Sequence, residues 1–447
     1  MKTTFFARNE TRIQQERNMR LTVTESTGQV LFEDLCRRKK FFSTKLASAA
    51  RGALALAMFS ALLLIGYQSA HAQTETVLYS FGSQAGDGSQ PYTALLMDKN
   101  GNLYGTTVNG GAQGNGTVFK LTSAGVESVL YAFCSQSGCT DGAHPSGGLI
   151  RDKKGNLYGT TTVGGNTSCN FGSGCGTVFK LTAAGVETVL YNFCSQSNCA
   201  DGQYPRGSLV MDKVGNLYGT TYQGGNNSNG GTVFKLTPSG TFTQLYTFLS
   251  QPGDGCGPQA AMIIDKLGNL YGTASYCNVA GTVFKVTPEG KETTLYAFCS
   301  QNCLDGEYPF AGVVMDKKGN LYGTTTQGGT NLQGVVFELT PTGKETVLYT
   351  FCSQPNCTDG EGPYGGLVIG KKGNLYGTTN AGGANNGGTV YEVTPKGVET
   401  VVYNFGSQSG DGGNPNAALI MDKTGNFYGT TVNGGLHGHG TVFKLTP

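Results

Sequence analysis

The sequence contains no tryptophan and only four histidines, and charged residues make up just 13% of it. Beyond residue 72 no apolar run approaches membrane-spanning length, and the repeat region shows no apolar spacing of helical period. A helical architecture and a second membrane segment are thereby excluded. There is no GxSxG elbow, HExxH pair or phosphate-binding loop, so the common signatures of serine hydrolases, zinc proteases and nucleotide enzymes are missing. The formal net charge is +2 with no basic stripe along the chain, so neither nucleic acid nor a charged membrane surface is expected as a partner. Scarce charge can signal a low-complexity chain. Here, however, the abundant residues, 71 glycines, 22 tyrosines and 23 phenylalanines, recur at regular spacing, which argues for a fold.

The first 72 residues differ from the rest. Basic and polar residues run to Arg51, an apolar run covers 52–65, and Ala70, His71 and Ala72 form a small-x-small site before Gln73. This is the layout of an export signal with a long leading segment, and Met19 offers a second candidate start. An uncleaved anchor is the alternative, against which the apolar run is short of the ~20 residues a spanning helix needs. The mature part is expected to be soluble and secreted, periplasmic or on the cell surface.

From residue 73 to 447 the hexapeptide GNLYGT recurs, with its tyrosine at Tyr104, Tyr158, Tyr218, Tyr271, Tyr322 and Tyr376 and a GNFYGT variant at Tyr428. Around each copy lie four short stretches rich in β-branched and aromatic residues, separated by Gly, Pro, Asn and Asp. In the second unit these predict strands over 148–151, 156–161, 177–182 and 187–193. The turns after the first and third strands are short and constant; the other two connections are longer and variable. Leu95, Leu96 and Met97 are consecutive and apolar, so the first strand must be covered on both faces, which neighbouring sheets can do. The chain enters on a lone fourth strand, 75–81, and its last unit stops after a third strand, 441–446. A ring in which the leading strand completes the last sheet resolves both ends. The expected fold is therefore all-β, a seven-bladed β-propeller of four-stranded antiparallel blades, with an open solenoid or two smaller propellers as alternatives.

Apart from Cys36 in the leader there are twelve cysteines. Four units carry two just after the fourth strand: Cys134 with Cys139, Cys194 with Cys199, Cys299 with Cys303, and Cys352 with Cys357. Where Gly82 or Gly406 replaces the first cysteine the second is gone too, which is what a disulfide predicts. Cys169 and Cys175 share one loop, and Cys256 is left to pair with Cys277. Spacings and the absence of accompanying histidines argue against zinc.

The link into each first strand reads DGxxP, starting at Asp87, Asp141, Asp201, Asp254, Asp305, Asp359 and Asp411. A carboxylate ring holding calcium or a substrate is one reading; aspartates capping turns shaped by Gly and Pro is the favoured one. The residue after the proline varies: Tyr92, Ser146, Arg206, Gln259, Phe310, Tyr364 and Asn416. A variable residue entering the innermost strand should line the mouth of the central channel. With Tyr204, Glu307, Tyr308 and Glu361 nearby, the mouth would suit a sugar ring or a peptide, the alternative being ordinary solvated loops. His437 and His439, in an HGH segment, lack a third ligand in the sequence and read as loop variation.

The GNLYGTT, GG, GTVFKLTP and ETVLYSF blocks together resemble the Gloeo/Verruco tandem repeat of exported bacterial proteins described as choice-of-anchor tandem repeat proteins. The resemblance spans about residues 75–447 and implies a surface or secreted protein, without bringing catalytic residues. Such proteins often end in a sorting signal, whereas this chain ends at a repeat strand. Three functions stay open: a noncatalytic scaffold binding an extracellular glycan or protein, a polysaccharide- or depsipeptide-acting lyase or hydrolase with its site at the mouth, and a structural or adhesive envelope protein. No cofactor or metal is called for, and a monomer is expected.

Overall fold

The structure, a computed structural model, describes residues 74–225, 229–250, 253–277 and 280–446. The export signal expected over 1–72, with Cys36, lies outside the described residues. The repeat region builds seven four-stranded antiparallel sheets, each with its strands in chain order except where the ring closes. It is a seven-bladed β-propeller.

The second blade shows how the repeat folds. Its strands are Ile150–Arg151, Leu157–Thr161, Thr177–Leu181 and Glu187–Asn192. The first is shorter than the sequence predicts. Residues 148–149 stay outside the sheet pairing, and the Gly148 N–H, lining the channel, donates to Ser208 Oγ of the next blade at 2.7 Å. The fourth strand carries a bulge opposite Val178 and Phe179, which leaves Leu190 out of register. A bulge strengthens twist. It also lets Leu190 and its neighbour Tyr191 both reach the core between blades two and three. Every blade repeats this bulge.

Seven apolar clusters hold the ring, one at each joint between blades. Phe133 of the first blade lies with Leu149, Leu157 and Phe179 of the second. The first strand is covered on both sides, since Leu96 packs at this joint and Met97 at the one before. The hexapeptide glycine admits the third-strand aromatic: a Cβ on Gly105 would stand 2.6 Å from Phe119 Cζ.

Closure follows from the ends. Thr74–Ser80 pairs antiparallel with Thr441–Thr446, from Thr74 opposite Thr446 to Ser80 opposite Thr441. The cluster of Phe81, Leu95, Phe119 and Val442 joins the last blade to the first. Thr430 Oγ1 donates to Thr93 O there at 3.2 Å, as Thr106 Oγ1 does to Gly147 O at the next joint. The hydrogen-bonded circuit thus closes within residues 74–446.

All six predicted disulfides form. Each closes a loop on the face that carries the long connections, and each contributes about 2 kcal/mol or more on a chain-entropy account. The short turns crowd the opposite face. There Asp98 accepts from the backbone N–H of Asn100 and Asn102 and from Asn102 Nδ2. Partial burial works to raise its pKa, but these donors outweigh it and hold the carboxyl below its ordinary range.

Candidate functional site: the loop-face bowl

The DGxxP aspartates come first, because their geometry decides their role. Asp141 is fully buried and accepts from Tyr131 Oη (2.7 Å), from Ser135 N and Oγ (both 2.9 Å) and from Gln136 N (3.2 Å). Its oxygens are turned into its own loop, and the same tyrosine meets the same aspartate in all seven units. These carboxylates brace the loop.

The prolines of the same links then aim the next side chain. The residue before each has a positive φ, between 53° and 57° for Gln90, His144, Tyr204, Tyr308 and Asn414 and 65° and 61° for Gly257 and Gly362. This turns the chain inward, and the proline seats on the preceding blade, where a Cβ on Gly116 would lie 2.6 Å from Pro145 Cδ. The following residue points over the ring axis. Tyr92, Ser146, Arg206, Gln259, Phe310, Tyr364 and Asn416 accordingly line one cavity of about 460 Å³, together with Val108 and Thr162. The structure brings together all seven residues that follow the prolines.

The bowl is lopsided. From blade three to blade six, Arg206, Phe310 and Tyr364 of the lining rest on an aromatic arc that Tyr222 and Tyr276 continue behind them. Arg206 Cζ sits 3.9 Å from the centroid of the Tyr222 ring, whose neighbour Tyr276 is 6.1 Å away. Tyr276 meets the edge of Phe310 at 5.5 Å, and Phe310 stacks on Tyr364 at 5.5 Å with 11° between planes. Tyr308 supports Phe310 from behind at 6.4 Å. Burial, with smaller contributions from its neighbours, holds the Tyr276 phenol above its ordinary pKa, so it remains a hydrogen-bond donor at neutral pH. The opposite side mixes Tyr92 and Val108 with polar groups: the Ser146 and Thr162 hydroxyls are hydrogen-bonded to each other at 2.5 Å, and Asn380 Nδ2 donates to Asn416 Oδ1 at 2.7 Å.

Not every expected residue joins the bowl. Glu307 and Glu361 point outward, each with a carboxylate oxygen within 4.8 Å of the sulfurs of the nearest disulfide. Tyr204 stands outside the lining, although it feels the Arg206 charge. Arg206 is therefore the one ionised side chain lining the cavity. Its Nη1 donates to Gln259 Oε1 at 3.3 Å, and Gln259 Nε2 in turn donates to Ser275 Oγ at 3.3 Å. Tyr222 and Tyr276 went unrecognised in the sequence. The signal was present: Tyr222 stands where other units have Val108 or Thr162, and Tyr276 opens the one loop in which Cys277 and Asn278 replace the glycine pair. His437 and His439 lie on the loop face against Gly82, away from the bowl.

The profile of the Gloeobacter/Verrucomicrobia repeat matches residues 64–228, 167–357 and 316–447. The chain belongs to this repeat family. Among curated proteins none matches it. Solved structures that resemble the Gloeobacter/Verrucomicrobia ring include the following two. Virginiamycin B lyase from Staphylococcus aureus aligns with a TM-score of 0.53 at 12% identity, over 84% of this chain and 99% of that one. PorZ, a surface component of the type-IX secretion system of Porphyromonas gingivalis, aligns with a TM-score of 0.47 at 13% identity, over 81% of this chain and 47% of that one. The likeness to the lyase, at 12% identity, shows a shared propeller fold and nothing of activity.

Proposed function

We propose that this propeller is an exported, noncatalytic binding scaffold that holds a glycan in the loop-face bowl. The observation that carries the reading is the lining itself: the rings of Tyr92, Phe310 and Tyr364, the last two stacked on each other, stand around one cavity with the Arg206 guanidinium and the amide and hydroxyl groups of Gln259, Asn416, Ser146 and Thr162. Aromatic faces suit the apolar faces of sugar rings, while polar groups placed opposite them fix orientation. A cavity of about 460 Å³ is within the range of small-ligand sites. Export is supported by the six disulfides, which persist in oxidising compartments, and no helix among the described residues is long and apolar enough to cross a membrane.

The test is a glycan array probed with the polypeptide 73–447 and with Tyr92→Ala, Tyr364→Ala and Arg206→Ala. Loss of a stacked ring or of the guanidinium should weaken a genuine ligand about tenfold each. Binding that survives all three changes, or turnover of the bound sugar, would overturn the reading.

A further inference from the structure

The charge that is dilute along the chain is sorted by the ring. Every lysine between Thr74 and Thr446 falls on the short-turn face. They stand in the turns after the first strands, from Lys99 round to Lys423, in the turns after the third strands at Lys291, Lys344 and Lys396, or near the end of the third strand, as Lys120 does. The turn lysines are all exposed. Arg151 lies on the same face, 3.8 Å from Asp98. The turn aspartates, Glu289, and Glu338 and Glu392, which replace the third-strand lysine in blades five and six, offset part of this charge, but the aspartates direct their oxygens into their own turns, and in the sixth blade Gly370 takes the place of one. On the loop face Arg206 is the single lysine or arginine among the described residues, set against the seven DGxxP aspartates, Glu307 and Glu361.

Apolar side chains stand exposed among these lysines. Val214 is 75% and Leu267 80% exposed at the tips of the first turns of blades three and four, and Val126, Val186 and Val398 project from the other short turns. Between the turns of blades three and four runs a cleft of about 440 Å³ with Met211 and Ile264 at its floor and Lys213 and Lys266 at its rim.

We infer that the short-turn face docks on an anionic phospholipid bilayer, leaving the bowl turned toward the medium. Three features favour this partner over a soluble polyanion. The turn tips of a closed ring share one face, which presents its charges to a surface rather than a groove to a strand. The cations are almost all lysines, compact charges suited to summed attraction rather than to bidentate reading of single phosphates. The aliphatic tips and the amphiphilic cleft fit the headgroup boundary of a membrane, as the apolar side of an interfacial helix does. This inference is independent of what occupies the bowl.

The polypeptide 73–447, whose hydrogen-bonded circuit is closed, is sedimented with phosphatidylcholine vesicles with and without about one-third phosphatidylglycerol. Binding is expected only with the anionic lipid, and is expected to collapse as salt rises from about 0.05 to about 0.5 M. The variant Lys153→Glu, Lys213→Glu, Lys317→Glu, Lys371→Glu should bind at least about a hundredfold more weakly, with unchanged thermal unfolding. Val214→Asn with Leu267→Asn should weaken vesicle binding severalfold and leave any capture by soluble polyphosphate untouched. Equal binding to neutral vesicles, full binding by the fourfold variant, or capture by polyphosphate without any by vesicles overturns the inference.

Discussion

Tyr391 offers a sharp test of how the joints are packed. Six of the seven third strands place a phenylalanine against the hexapeptide glycine; the sixth blade places Tyr391 there, against Gly377. Its ring keeps the expected edge contact, with Phe351 at 4.8 Å, but its hydroxyl is fully buried and has no hydrogen-bond partner. A buried unpartnered hydroxyl costs about 1–3 kcal/mol. Tyr391→Phe removes that cost while retaining the ring contact, so it should stabilise the fold by about 1–3 kcal/mol. With an unfolding entropy of about 2.1 cal/mol/K per residue over about 370 residues, each kcal/mol corresponds to roughly 1.3 °C, and Tm should rise by about 1–4 °C. Urea unfolding followed by tyrosine fluorescence, beside calorimetry, reads both quantities. Phe337→Tyr in the fifth blade is the reciprocal change and should lose a similar amount. A Tyr391→Phe protein no more stable than its parent would refute the account of this site.

The remaining predictions concern the joints and the closure. Burial, reinforced by the Asp87 charge of the preceding link, pushes Glu127 at the foot of its outer strand up to about 7, and Glu75, Glu187 and Glu345 behave alike. A carboxyl whose folded pKa exceeds its unfolded value of about 4.5 binds its proton more tightly when folded, so this contribution is full below 4.5 and is lost as pH rises through about 7. Tm should therefore fall between pH 5 and pH 8, and Glu127→Gln should flatten that slope; a Tm that rises across the window contradicts the assignment. Gly105→Ala forces a methyl onto Phe119 and should cost about 1–3 kcal/mol in denaturant unfolding. Phe81→Ala empties the cluster that joins the last blade to the first and should cost about 3–5 kcal/mol, whereas Val126→Ala on the short-turn face should change stability by less than about 0.5 kcal/mol.

Much of the fold could be read before any coordinate. Seven copies of one four-strand pattern, a leading fourth strand and a trailing third strand specify both the number of blades and how the ring closes, because each unit exposes two apolar faces that a like unit must cover. The cysteine pairs were legible from their joint presence or absence in equivalent loops. The mouth residues were legible because a proline at constant spacing sends the next side chain the same way in every blade. What depends on side-chain direction was not. Glu307 sits two residues before Pro309, beside the mouth in sequence, yet the backbone pairing of Glu307 with Gln327 turns its carboxylate outward to the disulfide. Tyr222 and Tyr276 belong to different blades, and only the ring brings them within 6.1 Å of each other and onto Arg206 and Phe310.

The sequence by itself therefore determined the architecture, since repeat spacing and the alternation of strand and turn are local properties that covalent order transmits directly. The tertiary structure alone decided the lopsided bowl and the sorting of the lysines onto one face. Those features arise when residues about fifty positions apart are superposed around a common axis, so that charge spread thinly along the chain becomes dense in space.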